Sequence, residues 1–444
     1  MIFDFKNIGI VDEAKIEVNG LTIITGLNDI GKSFLSKAIF SIIKTNKEAT
    51  REVRELRFQE LQQQFSHIQN GERYSLVNSS TPQLQSAPLL NKISQAFNSP
   101  ISDGENSLEL EIKDFEKKTI DLLNLNSHPQ VIQVRGSVIA NFSAAIDKTI
   151  DIIKTRIQEP EVAYKNYYNN VIIPQLFKRQ INSIKNKDLA LDINIIGENG
   201  KRSNIIIKNN LAEKFDCSLS EKFNDAVYIE SPTSIQSITF ILNSLAFGGT
   251  LLNASQQRIA GLPYHIYDLV YKIVNNANNL APNEFIDNIN KIRATVGGKL
   301  FYDQTTRSIV LSKENQENVF DFNIASGIKG LGILDILLSE NILNSKTLLI
   351  IDEPEVHLHP TWEVEYGRIL VQLSKIVPII ISSHSPSLLS TLPEFIKEYE
   401  TEGITKWYFG ERNPDSNTST FKDVTSDISD VFVALSKPIR DRLV

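Results

Sequence analysis

The sequence predicts an α/β protein, a sheet of buried strands flanked by helices, into which a mainly helical domain is inserted. Three observations predict it. Leu21–Ile24, Leu348–Ile351 and Pro378–Ile381 are short, uninterrupted apolar runs, the pattern of buried strands. The first and last of them lead into helical patterns, with apolar positions at 34, 35, 38 and 39 after the first. Between the first run and the second lies a long stretch in which helical spacing dominates.

The elements follow in order. Ile2-Phe3-Asp4-Phe5 opens the chain as a strand, and residues 14–18 follow it. Residues 46–70 are polar and helical in pattern. Residues 71–106 carry Gly71, Pro82, Pro88, Pro100 and Gly104 and read as loop. Helical spacing returns over 107–188, with Leu108, Ile112, Phe115, Ile146, Ile150 and Ile153 at apolar positions and charges on the other faces. The heptads are not sustained, so a short coiled coil is expected rather than a long one. Leu191–Ile196 and Ser203–Ile207 flank Asn199-Gly200, a hairpin turn signal. Residues 233–295 look helical, and strands are expected near 298–302 and 308–311. The end of the chain holds one strand, Thr405–Gly410, and an amphipathic helix near 428–435. The expected division is 1–45 and 191–444 for the two parts of the α/β head, and 46–190 for the helical insert.

Three segments carry chemistry. Gly26-Leu27-Asn28-Asp29-Ile30-Gly31-Lys32-Ser33 fits G-x-x-x-x-G-K-[ST] and lies between a strand and a helix, the context that motif requires. Gly26 and Gly31 permit close backbone approach, so the loop amides, those of Asn28 and Asp29 among them, can face phosphates. Lys32 is expected on the β- and γ-phosphates and the Ser33 hydroxyl on Mg²⁺. Asp352 ends the second apolar run, at the strand edge where open α/β sheets bind ligands, and is expected to hold Mg²⁺. Glu353 beside it is placed to polarise the attacking water. His384 follows Ser382-Ser383 at the end of the third run, where it is expected to meet the γ-phosphate. The cofactors implied are ATP and Mg²⁺.

These segments resemble the ABC-type P-loop ATPases, in the branch that holds the SMC, RecF and OLD-like proteins. Asp352-Glu353-Pro354-Glu355-Val356-His357-Leu358-His359-Pro360 and Ser382-Ser383-His384-Ser385-Pro386 are similar to motifs of OLD-like ATPases from bacterial anti-phage systems, those of PARIS and Septu included. The resemblance covers about 1–45 and 320–395. It implies that the first strands form a side sheet over the nucleotide. It also implies an S-G-G-Q-like signature that acts on the ATP of a second subunit. Here Ser326 and Gly327 match, while Ile328 and Lys329 replace the second Gly and the Gln. Ser326 and the helix N-terminus could donate to that γ-phosphate, and Lys329 could add a positive charge. No Gln marks the family's γ-phosphate-sensing loop; Tyr228–Pro232 reads first as a plain strand-to-helix turn, with Glu230 as the alternative candidate for that position. The His357/His359 pair reads as a loop that contacts a partner subunit rather than as a zinc site, since no further Cys or His lies nearby.

The bulk numbers bound the rest. A net charge of −7 gives no general polyanion-binding surface. The single cysteine, Cys217, excludes an internal disulfide and is expected in the core. No run of about 18 apolar residues occurs, so no membrane span and a cytoplasmic protein are expected. Asp423, Asp427 and Asp430 read as a helix cap and a dipole-facing run rather than an acid site, so a nuclease domain of the chain's own is not expected. The leading expectation is an ATP-hydrolysing sensor or scaffold that forms a head-to-tail dimer or larger homo-oligomer. It would answer to a phage-encoded trigger and control a separately encoded effector, with Toprim and HNH nucleases as candidates. The alternative is a RecF/SMC-like repair ATPase that binds DNA as an ATP-dependent dimer.

Overall fold

A computed structural model describes residues 1–76, 86–98, 105–126, 128–155, 161–182, 189–198, 200–216, 222–230, 241, 262–276, 280–429 and 431–435. The strands in chain order are β1 (Ile2–Ile8), β2 (Val11–Glu17), β3 (Leu21–Gly26), β4 (Leu191–Ile196), β5 (Arg202–Lys208), β6 (Leu211–Asp216) and β7 (Asp225–Ile229). They continue with β8 (Lys299–Asp303), β9 (Ser308–Ser312), β10 (Val319–Phe320), β11 (Thr347–Asp352), β12 (Ile379–Ser383), β13 (Thr405–Asn413) and β14 (Thr418–Asp423).

The three apolar runs become neighbours. β12 pairs in parallel with β3 on one side and with β11 on the other. β13 joins β3 and β7 joins β11, also in parallel. Every residue of β3, β11 and β12 is buried. Fully buried Val/Ile/Leu runs are what a parallel sheet covered on both faces demands. The covering includes the helices Ser326–Ser339, Pro360–Leu373 and Pro386–Glu398, whose Leu334, Leu337, Ile369, Leu370, Leu388 and Leu392 belong to one core with Ile23, Leu349, Ile351, Ile379 and Ile381.

The first strands do not form a separate side sheet. One eleven-stranded sheet runs β6-β5-β4-β1-β2-β14-β13-β3-β12-β11-β7. The link is a C-terminal hairpin: β13 pairs antiparallel with β14, and β14 pairs in parallel with β2. The sequence showed only the first half of that hairpin, because β14, Thr-Ser-Thr-Phe-Lys-Asp, has no apolar run. The β4–β5 hairpin is present, with Ile193 opposite Ile205; Asn199 of its turn lies outside the described residues. β8, β9 and β10 form a small antiparallel sheet ahead of the helix that starts at Ser326.

Two units emerge, Met1–Glu48 with Tyr164–Val444, and Ala49–Ala163. The expected insert ran from 46 to 190. Residues 164–182 instead belong to the unit that contains the sheet, where Tyr168 packs on Phe215 of β6 and Phe177 packs on Phe34. The helix Lys32–Leu76 runs on past Glu48 into the second unit. There, residues expected to be loop are helical, through Leu76 and again over Ser86–Asn98. Pro88 sits in the first turn of that second helix, where its missing N–H costs nothing. Leu89, Leu90 and Ile93 then fall on one face and join a core with Leu61, Ile68, Ile112, Phe142 and Ile146. Of the expected 233–295 helical stretch, Tyr264–Asn276 and Ile286–Val296 are helices, and most of 231–261 lies outside the described residues, as does Cys217. Residues 429 and 431–435 are helical, with Asp427 Oδ1 accepting from the Ser429 amide as a cap; Asp430 lies outside. Among the described residues, no helix is long and apolar enough to cross a membrane.

A buried charge network fixes the phosphate-loop helix to its neighbours. Lys44 is fully buried and pairs with Asp268 at 2.6 Å, Asp225 at 3.0 Å and Glu48 at 3.4 Å. Lys272 pairs with Asp268 at 2.8 Å and Asp225 at 3.0 Å, and Lys47 reaches Asp225 at 2.6 Å. Three lysines thus face three carboxylates, a neutral set of the kind that burial requires. Burial works against the Asp225 carboxylate, yet the ammonium groups of Lys272, Lys44 and Lys47 hold its pKa well below the usual range.

Candidate functional site

β3 ends in Gly26 at φ +139°, and the chain turns through Asp29 at +58° and Gly31 at +93° before the helix begins at Lys32. A Cβ on Gly26 would lie 2.3 Å from Ile30 Cδ1 and 2.8 Å from the Gly410 carbonyl oxygen, so this position needs glycine for space as well as for its φ. Lys32 is buried, and its Nζ donates to the carbonyls of Gly26 at 3.0 Å and Leu27 at 2.8 Å. Burial lowers its pKa, while the charges of Asp352, Glu353 and Glu355 pull the other way. The acids of the distant motifs therefore act on the lysine of the first.

The loop is held from outside by the C-terminal hairpin. Arg412 of β13 donates from Nη2 to the Asp29 carbonyl at 3.0 Å and to Asp29 Oδ2 at 3.1 Å. Ser419 of β14 donates from Oγ to the Ile30 carbonyl at 2.6 Å. Sequence reasoning missed both, because neither belongs to a motif and each lies nearly four hundred residues from its partner.

Asp352 ends β11 buried, with both carboxylate oxygens engaged. Ser382 Oγ donates to Oδ1, and Tyr228 Oη, from β7, donates to Oδ2 at 3.1 Å. Glu353 turns out of the strand at φ +52°, its amide bonded to the Ser382 carbonyl at 2.8 Å. Its side chain is 41% exposed and lies with Oε1 3.6 Å from His384 Nδ1. His384 Nδ1 is also 3.5 Å from Glu355 Oε1. Lys32, Asp352, Glu353 and His384 thus gather at the C-terminal edge of three adjacent parallel strands.

A cleft of about 770 Å³ opens on this edge. The phosphate loop from Asn28 to Ser33 and Glu353 line one part of it. Gly9, Ile10, Arg179, Gln180, Asn182 and Asn210 line another, and no sequence signal marked that set. It comes from three turns tied together: the Ile181 and Asn182 amides donate to Asn210 Oδ1 at 2.9 and 3.0 Å, and the Gly9 amide donates to the Ile181 carbonyl at 3.1 Å. The donor set fits a triphosphate and Mg²⁺. A glycine-walled loop leads into a helix N-terminus, a buried lysine crosses it, and Ser33 and Asp352 supply one hydroxyl and one carboxylate. Mg²⁺ is commonly held by one or two carboxylates, the remaining positions going to phosphate and water.

Three further expectations meet the structure differently. Lys329 does not reach outward. Its side chain points into the unit and pairs with Asp321 at 2.7 Å, both residues buried, because the helix is buried on all sides from position 329 onward. Its charge is therefore matched within its own chain. Ser326 and Gly327 do sit at that helix's start, where a Cβ on Gly327 would meet the His357 carbonyl oxygen at 3.1 Å. Glu230 follows β7, in a hydrogen bond with His265 at 3.0 Å and a salt bridge with Lys37 at 2.6 Å, which together hold its pKa at about 2. It stands one strand beyond Asp352; Ser231 and Pro232 lie outside the described residues. Of the His pair, His357 is exposed, while His359 caps the helix Pro360–Leu373 by accepting the Thr361 amide on Nδ1 at 3.3 Å.

The parallel sheet, phosphate loop and strand-end acids define a nucleotide-binding P-loop protein of the ATPase class. Residues 46–390 match the family described as AAA domain, putative AbiEii toxin, Type IV TA system, and the chain belongs to that family. The matched range contains Asp352, Glu353, His384 and the helix from Ser326; the phosphate loop lies just before it. Among solved structures, the chain is similar to the SMC head domain from Thermotoga maritima, with 9% identity, 95% of this chain and 98% of that one covered, and a TM-score of 0.38. It is also similar to the Smc head domain with an extended coiled coil, bound to the C-terminal domain of ScpA, from Pyrococcus furiosus. There the identity is 9%, the coverage 99% and 98%, and the TM-score 0.33.

Proposed function

We propose that this protein binds ATP with Mg²⁺ and hydrolyses it, and that two copies placed head to tail complete two such sites. The observation that supports hydrolysis best is the meeting of Lys32, Asp352, Glu353 and His384 at the ends of β3, β11 and β12. Bound Mg²⁺ supplies neutralising charge for the β- and γ-phosphates. Lys32 leaves the carbonyls of its own loop to pair with those phosphates, and the amides of residues 28–33 cradle them. Ser33 and Asp352 hold the metal, with Tyr228 and Ser382 fixing the carboxylate. Glu353 takes the proton of the attacking water, and His384 donates to the γ-phosphate. Ser326 and Gly327 face the phosphate loop of the second copy.

The purpose we propose is that of a sensor or scaffold controlling a separately encoded effector in an anti-phage system. Two facts support it. The family description speaks of putative toxins of toxin–antitoxin systems. The Ala49–Ala163 unit contains none of the site residues and leaves surface for a trigger, an effector or oligomer contacts. The test is on the purified chain: ATP turnover with Mg²⁺, and no cleavage of long DNA or tRNA with Mg²⁺ or Mn²⁺. Lys32→Ala should abolish nucleotide binding, and Glu353→Gln should bind ATP but turn it over about a hundredfold more slowly. Equal loss of binding in both variants would refute the role given to Glu353. Metal-dependent cleavage that survives Lys32→Ala would refute the separate effector, and stimulation of turnover by plain double-stranded DNA would favour a repair ATPase instead.

A further inference from the structure

Glu355 is a buried acid beside the site to which the proposed chemistry gives no role. It lies three residues past Asp352. Its Oε1 accepts three hydrogen bonds from the loop after β12: from Ser383 Oγ at 2.8 Å and from the amides of His384 and Ser385, each at 3.2 Å. The same oxygen lies 3.5 Å from His384 Nδ1, a nitrogen that Glu353 Oε1 also approaches, at 3.6 Å. Both contacts are too long for settled hydrogen bonds and short enough for charge to act. Ser385 extends the tie: its Oγ donates to Glu363 at 2.8 Å and accepts the Leu388 amide at 3.3 Å, capping the helix Pro386–Glu398.

One carboxylate oxygen therefore fastens three consecutive residues of one loop to the end of the neighbouring strand. Hydrogen bonds to an ionised acceptor are roughly twice as strong as neutral ones, so the fastening is firm. It is also costly, since burial pushes the Glu355 pKa up against the pull of those donors. An apolar side chain would fill the space without that cost, but it could not hold the loop.

We propose that Glu355 is a positioning residue, holding the backbone of residues 383–385 so that the His384 imidazole stays beside Glu353. The inference rests on the hydrolytic reading of the site. Glu355 acts through His384 and needs no contact with nucleotide.

Two variants test it. Glu355→Ala removes the acceptor, and Glu355→Gln keeps an oxygen for the two amides. Hydrogen exchange of the nucleotide-free protein reads the loop directly, whether or not ATP is turned over. In Glu355→Ala the amides of 384 and 385 should exchange about tenfold faster or more, with residues 379–381 unchanged. In Glu355→Gln they should stay within about threefold of the parent. With ATP, kcat of Glu355→Ala should fall about 10- to 100-fold, as for other residues that orient a site, with KM nearly unchanged. Glu355→Gln should recover most of that loss. Adding Glu355→Ala to His384→Ala should lower kcat no further, because the two changes break one unit. Unchanged exchange in Glu355→Ala, or equal opening in both variants, would overturn the proposal. So would losses that multiply in the double variant. A parent chain without turnover would remove the hydrolytic reading instead, and the exchange result would still decide whether Glu355 holds the loop.

Discussion

At the scale of single residues, the site is a set of motif side chains held by partners from other strands. Asp352 illustrates it. The carboxylate is legible in sequence as the acid that ends an apolar strand, while its two hydroxyl donors are not. Tyr228 lies 124 residues away on β7 and Ser382 lies 30 away on β12, and only strand order brings them to it. A carboxylate with both oxygens oriented is prepared for a metal that demands near-ideal geometry. Tyr228→Phe removes one donor and leaves the ring, which packs edge-on to Phe40 and His265. The Mg²⁺ concentration for half-maximal ATP binding should rise about tenfold, the usual size of such an effect. ATP binding in EDTA should not change. Equal weakening with and without metal would show that Tyr228 acts on the fold rather than on Asp352. Lys329 shows the reverse limit. Its position in a signature-like segment suggested an outward charge, but the helix is buried on all sides from that residue on, and the lysine pairs with Asp321.

At the scale of elements, what could be read depended on whether an element was self-evident from its own residues. β3, β11 and β12 were legible because strands buried on both faces are apolar throughout. β14 was not, since polar residues on a strand give no run to see. The Ser86–Asn98 helix was hidden by Pro88, a residue that disfavours helix interiors but is tolerated in the first turn. The phosphate-loop helix carries a further element-level feature, the three-lysine, three-carboxylate network around Asp225 and Lys44. Asp225→Asn leaves Lys44 and Lys272 buried with one counter-charge fewer, which should cost about 3–5 kcal/mol near neutral pH. The pH dependence has a definite sign. The folded pKa of Asp225 is depressed, so its contribution is present above the unfolded value of about 3.9 and is lost as pH falls toward the folded one. Denaturant titrations should therefore show parent and variant well apart at pH 6–8 and converging below about pH 4. A constant gap down to pH 3 would contradict that account of the network.

At the scale of the whole molecule, the chain folds as two units. The helical periodicity of the insert was legible; its bounds were not, because residues 164–177 are helical too and only tertiary packing assigns them to the sheet. Replacing Ala49–Ala163 by a short flexible linker should leave ATP affinity within about threefold and abolish protection against phage, since recognition needs surface outside the site. Retained protection would contradict the role given to that unit. The central claim is that the sites are shared between copies, and mixing two inactive variants tests it most directly. Lys32→Ala disables a phosphate loop, and Ser326→Arg disables the face presented to the other chain. In a mixed dimer one site carries both lesions and the other carries neither. ATP turnover should therefore reappear on mixing, reaching roughly a quarter of the parent rate at equal amounts if dimers form at random. No recovery at any ratio, with the mixed dimers shown by mass to be present, would contradict a shared site.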